Sequence, residues 1–164
     1  MRRVPYKQRA HMKKATLAII RQENNVLLGL KKKGEIGSQT FNGPGGKCEE
    51  GESPIDCIIR ETREEVGIEL HREHLKLIAV ITFYAADVAD FEVSVFITNI
   101  FSSTPVETVD MVPKWFDITA LPLDQMLESD REWFSKVVAG EEFRANVFYK
   151  ERAKNFERIE FLPF

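Results

Sequence analysis

Apolar residues fall in runs whose spacing changes along the chain. ATLAIIR (residues 15–21) and NVLLGLKKK (25–33) flank the polar turn QENN and predict a β-hairpin. LKLIAVITFYA (75–85) and FEVSVFITNIF (91–101) predict two further strands, the second alternating at Phe91, Val93 and Val95. VPKWFDI (112–118) predicts a short strand, and ANVFYKER (145–152) with RIEFLPF (158–164) a final pair. The period changes to 3.6 in two places. Over residues 54–66, Ile55, Ile58, Ile59, Thr62 and Val66 share one helical face, suited to docking on a sheet. Ser53 stands at the N-cap, Pro54 at the first helical position, Asp56 at the third and Gly67 just past the end. DREWFSKVVAG (130–140) predicts a second amphipathic helix, with Asp130 near its start and Gly140 at its end. Many strands with two embedded helices predict an α/β fold of mixed α+β character.

The first helix carries a second stripe. Glu61, Glu64 and Glu65 follow the i, i+3, i+4 spacing and lie beside the apolar face, with Arg63 and Asp56 on the far side. Like charges at that spacing repel. One reading is a solvated face on which Arg60 and Arg63 make local pairs. The other is the wall of a cleft, where a counter-charge relieves the repulsion. Two features favour the cleft. The approach, residues 34–46 (GEIGSQTFNGPGG), has five glycines, which let backbone come close to another group. The cluster also offers only hard oxygen donors, the set that suits Mg²⁺ or Mn²⁺ with substrate phosphates. Metal-assisted attack on a phosphate ester or anhydride is the chemistry such a site serves.

The 164-residue length suits one domain, and no repeat or low-complexity linker divides it. Residues 15–164 are therefore expected to form a single domain behind a basic, flexible tail, residues 1–14 (MRRVPYKQRAHMKK). That tail lacks the apolar segment of a secretory signal. A net charge of −3 gives no basic field for a stable nucleic-acid partner. No apolar run reaches the roughly 18 residues that span a bilayer. Cys48 and Cys57 have no CxxC spacing and read as two reduced thiols, which points to the cytoplasm.

The spacing from Gly46 onward is more specific. Gly46, five residues, Glu52, seven residues, then Arg60-Glu61-Thr62-Arg63-Glu64-Glu65-Val66-Gly67-Ile68 resembles the signature of the Nudix hydrolases. Thr62, at an aliphatic position of that signature, is the one departure. The resemblance implies an α/β/α sandwich with a central mixed sheet and a strand-loop-helix box. It also implies hydrolysis of a nucleoside diphosphate linked to another group, with Mg²⁺ (or Mn²⁺) as cofactor. Carried over, Glu61, Glu64, Glu65 and the Gly45 carbonyl are metal ligands, and Glu64 or Glu65 takes a proton from water. Arg60 orients the glutamates, Glu52 braces the loop, and Asp110 is a further ligand or base, with Glu107 as its local rival.

VLLGLKKKG, FNGPGGK, TPVETVDMVPKWF and MLESDREWF are similar to the MutT-homologue enzymes that hydrolyse oxidised purine nucleoside triphosphates to monophosphate and pyrophosphate. The similarity runs from about residue 16 to 134 and more loosely through the last strands. It implies a purine-reading role for Asn42, which on its residues alone is equally a turn residue of the Asn-Gly pair. Asp130 matches the second of two base-reading aspartates and competes with a plain helix N-cap. Ser129 stands where the first aspartate would be, and Leu127 where a stacking tryptophan would be, so base preference is expected to be altered. Thr16, Phe83 and Tyr84 are candidates to line the pocket. Lys31, first of three lysines at a strand end, is a candidate for the phosphates or else simply solvated. The expected partner is a small nucleotide, and the expected state a monomer. Two alternatives remain open: a Nudix hydrolase for a nucleotide sugar, dinucleoside polyphosphate or RNA 5′ end, and a non-catalytic nucleotide sensor.

Overall fold

A computed structural model describes residues 12–34 and 36–164. Most of the expected tail, residues 1–11, lies outside the described residues. Lys13 and Lys14, also assigned to it, open the first strand, β1 (Lys13–Gln22). β2 (Asn25–Lys31) follows through the expected turn, where Glu23 takes a positive φ of 53°. β1 and β2 pair only at Arg21–Val26 and Gln22–Asn25, so the hairpin splays beyond its turn. The glycine-rich loop contains β3 (Phe41–Asn42) and leads to α1 (Pro54–Val66), the two-residue β4 (Glu69–Leu70) and the long strands β5 (Lys76–Ala85) and β6 (Val88–Thr98). Then come β7 (Phe101–Ser102), β8 (Met111–Asp117), α2 (Asp130–Val138), β9 (Phe143–Glu151) and β10 (Lys154–Leu162).

The main sheet runs β10-β9-β5-β6-β1-β2-β3, with β8 also on β2, and β4 pairs with β7 in a small second sheet. β1 lies parallel to β6 and β5 parallel to β9, while β5–β6 and β9–β10 are antiparallel. The sheet is therefore mixed, as expected. The interior strand β1 is apolar on both faces because both faces are covered. Leu17 and Ile19 of β1 join Val26, Leu28 and the α2 residues Trp133, Phe134 and Val137 in one core. Ala18 and Ile20, pointing the opposite way, join Leu27, Met111 and the α1 residues Ile58 and Val66 in the other. Two periods, 2.0 along β1 and 3.6 along each helix, thus meet to make three layers.

α1 occupies the predicted interval. The Ser53 side chain accepts from the Asp56 N–H at 3.2 Å, and Gly67 closes the helix with φ 70°. Its buried face differs in one respect from the sequence expectation. Cys57, read there as one of two unremarkable thiols, is fully buried with Ile58, Thr62 and Val66, while Ile55 and Ile59 are only partly covered.

Phe134 is fully buried in the core shared by α2 and β1, whereas Val109 is 73% exposed. Phe134→Ala should lower unfolding free energy by about 3–5 kcal/mol in urea titrations, and Val109→Ala by less than about 0.5 kcal/mol. Equal losses would contradict this division of the core.

Candidate active site

The end of α1 and the loop before it hold the charged cluster around one side chain, Arg60. Its Nε and Nη2 donate to the two oxygens of Glu52, each at 2.8 Å. Nη1 donates to Glu61 at 2.9 Å and to Glu64 at 3.1 Å, and Nη2 also reaches the Lys47 carbonyl at 3.2 Å. One planar cation therefore ties the loop to two of the three glutamates. The fork holds the Glu52 carboxyl down at about 2, a shift led by the Arg60 hydrogen bonds. Gly46 sits against the cluster so closely that a Cβ there would lie 2.7 Å from the Glu61 carboxyl carbon. Arg63, by contrast, is bound to Glu69 on the outer side of the helix.

Glu65 is the third acid and is not held by Arg60. The Gly45 N–H donates to its Oε2 at 3.4 Å. Burial, and then the nearby Glu61 charge, push the Glu65 carboxyl up to about 8; Gly45 and Lys31 oppose that rise, and Asp110 adds to it. Burial also raises Glu61, with Arg60 opposing. A carboxylate held this far above its ordinary range is short of positive charge. The oxygen-only donors Glu61, Glu64 and Glu65 beside the Gly45 backbone fit a hard divalent cation. Gly45 itself has no room for a side chain, since a Cβ would lie 2.0 Å from the Thr16 carbonyl oxygen. Asp110 stands on the Glu65 side, 3.9 Å from Lys33, while its rival Glu107 is paired with Lys32 at 2.5 Å.

A cleft of about 330 Å³ opens beside this cluster, lined by Thr16, Lys31, Asn42, Gly45, Phe83, Tyr84, Leu127, Asp130, Trp133 and Tyr149 among others. Asn42 Oδ1 accepts from the Gly43 N–H at 2.9 Å, which leaves its Nδ2 to donate. Asp130 is the first residue of α2, not its N-cap. It is 1% exposed, its Oδ2 has no hydrogen-bond partner, and burial raises its carboxyl to about 7. Trp133 Nε1 is likewise buried without a partner. Leu127 lines the cleft as expected. Ser129 does not: it is fully buried, its N–H donates to the Tyr149 hydroxyl at 2.9 Å, and that hydroxyl donates to Ser129 Oγ at 2.8 Å. Tyr149, not Ser129, lines the cleft at this point. Thr16 lines the cleft, but its hydroxyl is directed to the Gly46 carbonyl at 3.4 Å and to Cys57 Sγ at 3.3 Å. Lys31 donates to the Ile36 carbonyl at 2.6 Å, so it is not merely solvated.

Sequence reasoning missed Tyr149, Trp133 and the ion pair of Arg152 with Asp90, at 2.7 and 2.8 Å, on the far rim. Tyr149 reaches the cleft because β9 pairs in parallel with β5, setting Val147 against Phe83 and Tyr149 against Ala85. No local motif announces such a pairing.

The raised carboxyls fix a sign. Between pH of about 5 and 8 the folded chain keeps a proton on Glu65 that the unfolded chain has released, so metal-free stability falls as pH rises. Asp130 adds to the same slope up to about pH 7. Urea unfolding at pH 5 and pH 8 should show this loss, and Mg²⁺ or Glu65→Gln should remove the Glu65 share. An unchanged slope in Glu65→Gln would contradict the assignment.

Comparison with known proteins agrees with this architecture. The NUDIX domain model matches residues 11–137. The chain is 33% identical over 128 residues to an oxidized purine nucleoside triphosphate hydrolase of Danio rerio, covering 78% of this chain and 81% of that one. It is 30% identical over 138 residues to the protein of the same name from Mus musculus, covering 84% and 86%. Among solved structures, a MutT protein from Bacillus halodurans superposes with a TM-score of 0.76 at 20% identity, covering 92% of this chain and 97% of that one. The matched length, the glutamate-bearing helix behind its glycine loop and the three-layer fold lead to one conclusion: the chain belongs to the Nudix hydrolase family.

Proposed function

We propose that the protein hydrolyses oxidised purine nucleoside triphosphates to the monophosphate and pyrophosphate, acting as a monomer on free nucleotides in the cytoplasm. The observation that carries this reading is the buried, unpartnered Asp130 Oδ2 on the wall of a cleft that also holds Asn42. A purine edge offers mixed donors and acceptors, which an amide and a carboxyl on one cleft wall would suit. Two relatives that align over most of this chain carry the name of that activity, which supports the same reading.

Glu61, Glu64, Glu65 and the Gly45 backbone would hold Mg²⁺ or Mn²⁺. When bound, the ion neutralises phosphate charge and lowers the pKa of water. The chain's own groups do the rest. Arg60, anchored by Glu52, fixes the Glu61 and Glu64 carboxylates. Glu65, buried and free of Arg60, takes the proton of the attacking water, with Asp110 beside it. Asn42 donates through Nδ2, Leu127 and Phe83 cover the base, and Asp130 meets its edge with Tyr149 in support. Lys31, bonded to the Ile36 carbonyl and near enough to Glu65 to lower its carboxyl, would receive the phosphates.

A nucleotide panel with Mg²⁺, scored by product, tests the reading. 8-oxo-dGTP or 2-oxo-dATP should turn over well above dGTP, with pyrophosphate released. Preference for a nucleotide sugar or dinucleotide, or saturable binding without turnover, would point to another member of the family or to a sensor.

Glu64→Gln and Glu65→Gln should each lower kcat by about 10²–10⁴-fold without unfolding the protein. Near-normal Mg²⁺-dependent rates in both would remove the glutamates from the chemistry. Asn42→Ala should lower kcat/KM for the oxidised purine by about 10–100-fold while sparing unmodified substrates. Equal loss on every substrate would refute its role as a base reader.

A further inference from the structure

Behind the glutamates lies a second cluster. Cys48 Sγ, Cys57 Sγ and a carboxylate oxygen of Glu52 lie within 4.8 Å of one another. Cys48 stands in the loop, just after the β-bridge that joins Lys47 to Ala15. Glu52 closes that loop by accepting from the Glu49 N–H at 3.0 Å. Cys57 lies in the first turns of α1, on its buried face. Its sulfur is surrounded by ligand-type atoms: Thr16 Oγ1 at 3.3 Å, the Gly46 carbonyl at 3.6 Å, Cys48 and Glu52. An apolar niche would bury a lone thiol without these neighbours.

We propose that Cys48, Cys57 and Glu52 form a site for a borderline-soft divalent cation of the zinc class, distinct from the magnesium-type oxygen cluster. Two sulfurs and one carboxylate oxygen suit zinc and leave a fourth position for water or the Thr16 hydroxyl. Mg²⁺ has little affinity for thiolates, so the two clusters sort cations by donor type. Burial raises both thiols, so without a cation they carry protons; binding releases both protons to solvent as two metal–sulfur bonds form. The Cys57 thiol donates toward the ionised Glu52 carboxylate; that thiol proton is one of the two released, and the cation takes its place between sulfur and carboxylate. Glu52 can do this while it stays in the Arg60 fork, because a carboxylate has about four lone-pair sites. The bound ion staples the glycine loop to α1.

The test titrates Co²⁺ into the reduced, full-length protein with Mg²⁺ in excess to fill the oxygen cluster. The expected result is a near-ultraviolet thiolate-to-cobalt charge-transfer band that saturates at one equivalent and is bleached by Zn²⁺. Zn²⁺ should also raise the melting midpoint. Cys48→Ser, half-exposed and outside the proposed hydrolytic machinery, should keep Mg²⁺-dependent turnover and lose both the band and the shift. No charge-transfer band in the wild type, or a band that survives in Cys48→Ser, overturns the site. These spectra are read without substrate, so their outcome is separate from that of the nucleotide panel.

Discussion

The Arg60 guanidinium is the interaction on which the charged end of this protein depends. Three carboxylates converge where each would repel the others, and one planar cation with five donors reaches all of them and a loop carbonyl. A lysine at this position would present a point charge and could not hold the Glu52 fork and two helix glutamates in fixed directions at once. Because Glu52 lies on the loop and the other acids on α1, the same contact sets the distance between the loop backbone and the helix. Gly46 is the steric counterpart of that closeness.

Arg60 leaves one acid uncompensated. Glu65 is buried without a guanidinium, and burial pushes its carboxyl up to about 8, whereas Arg60 opposes the rise that burial gives Glu61. Two environments, one in the loop and one at the end of α1, thus separate an anchoring acid, Glu52 at about 2, from Glu65 at about 8. Asp130 repeats the device at the other end of the cleft, again by burial and without an opposite charge in contact.

The charged cluster was legible in the sequence because it is local. Ser53, Pro54, Asp56 and Gly67 bound the helix by backbone rules, and the 3.6 period sets the glutamates on one edge; the structure has α1 at those limits. The long strands were legible from their apolar runs, to within a few residues. The two-residue strands β4 and β7 were not, since two residues carry no period. The cleft was legible only in part. Asn42, Leu127 and Asp130 were named through a resemblance, and they do line it. Ser129 was placed there too, but the sequence gives no sign that a tyrosine twenty residues later would bury it. Tyr149 comes into range through the register of β9 on β5, a long-range choice that local patterning does not encode. Cys57 was missed because a thiol at the rim of an apolar stripe looks the same in sequence whether it packs or ligates.

The parallel pairing of β9 with β5 carries one more consequence. The clustered acids Glu52, Glu61, Glu64 and Glu65 come from one continuous stretch of the chain, while the cleft wall is shared with the turn end of the β9–β10 hairpin near its other end. Two parts of the molecule that answer to different physical demands therefore come from separate stretches of the chain. A substitution at Tyr149 or Arg152 can thus reshape the cleft wall without touching the loop and helix that carry the clustered acids.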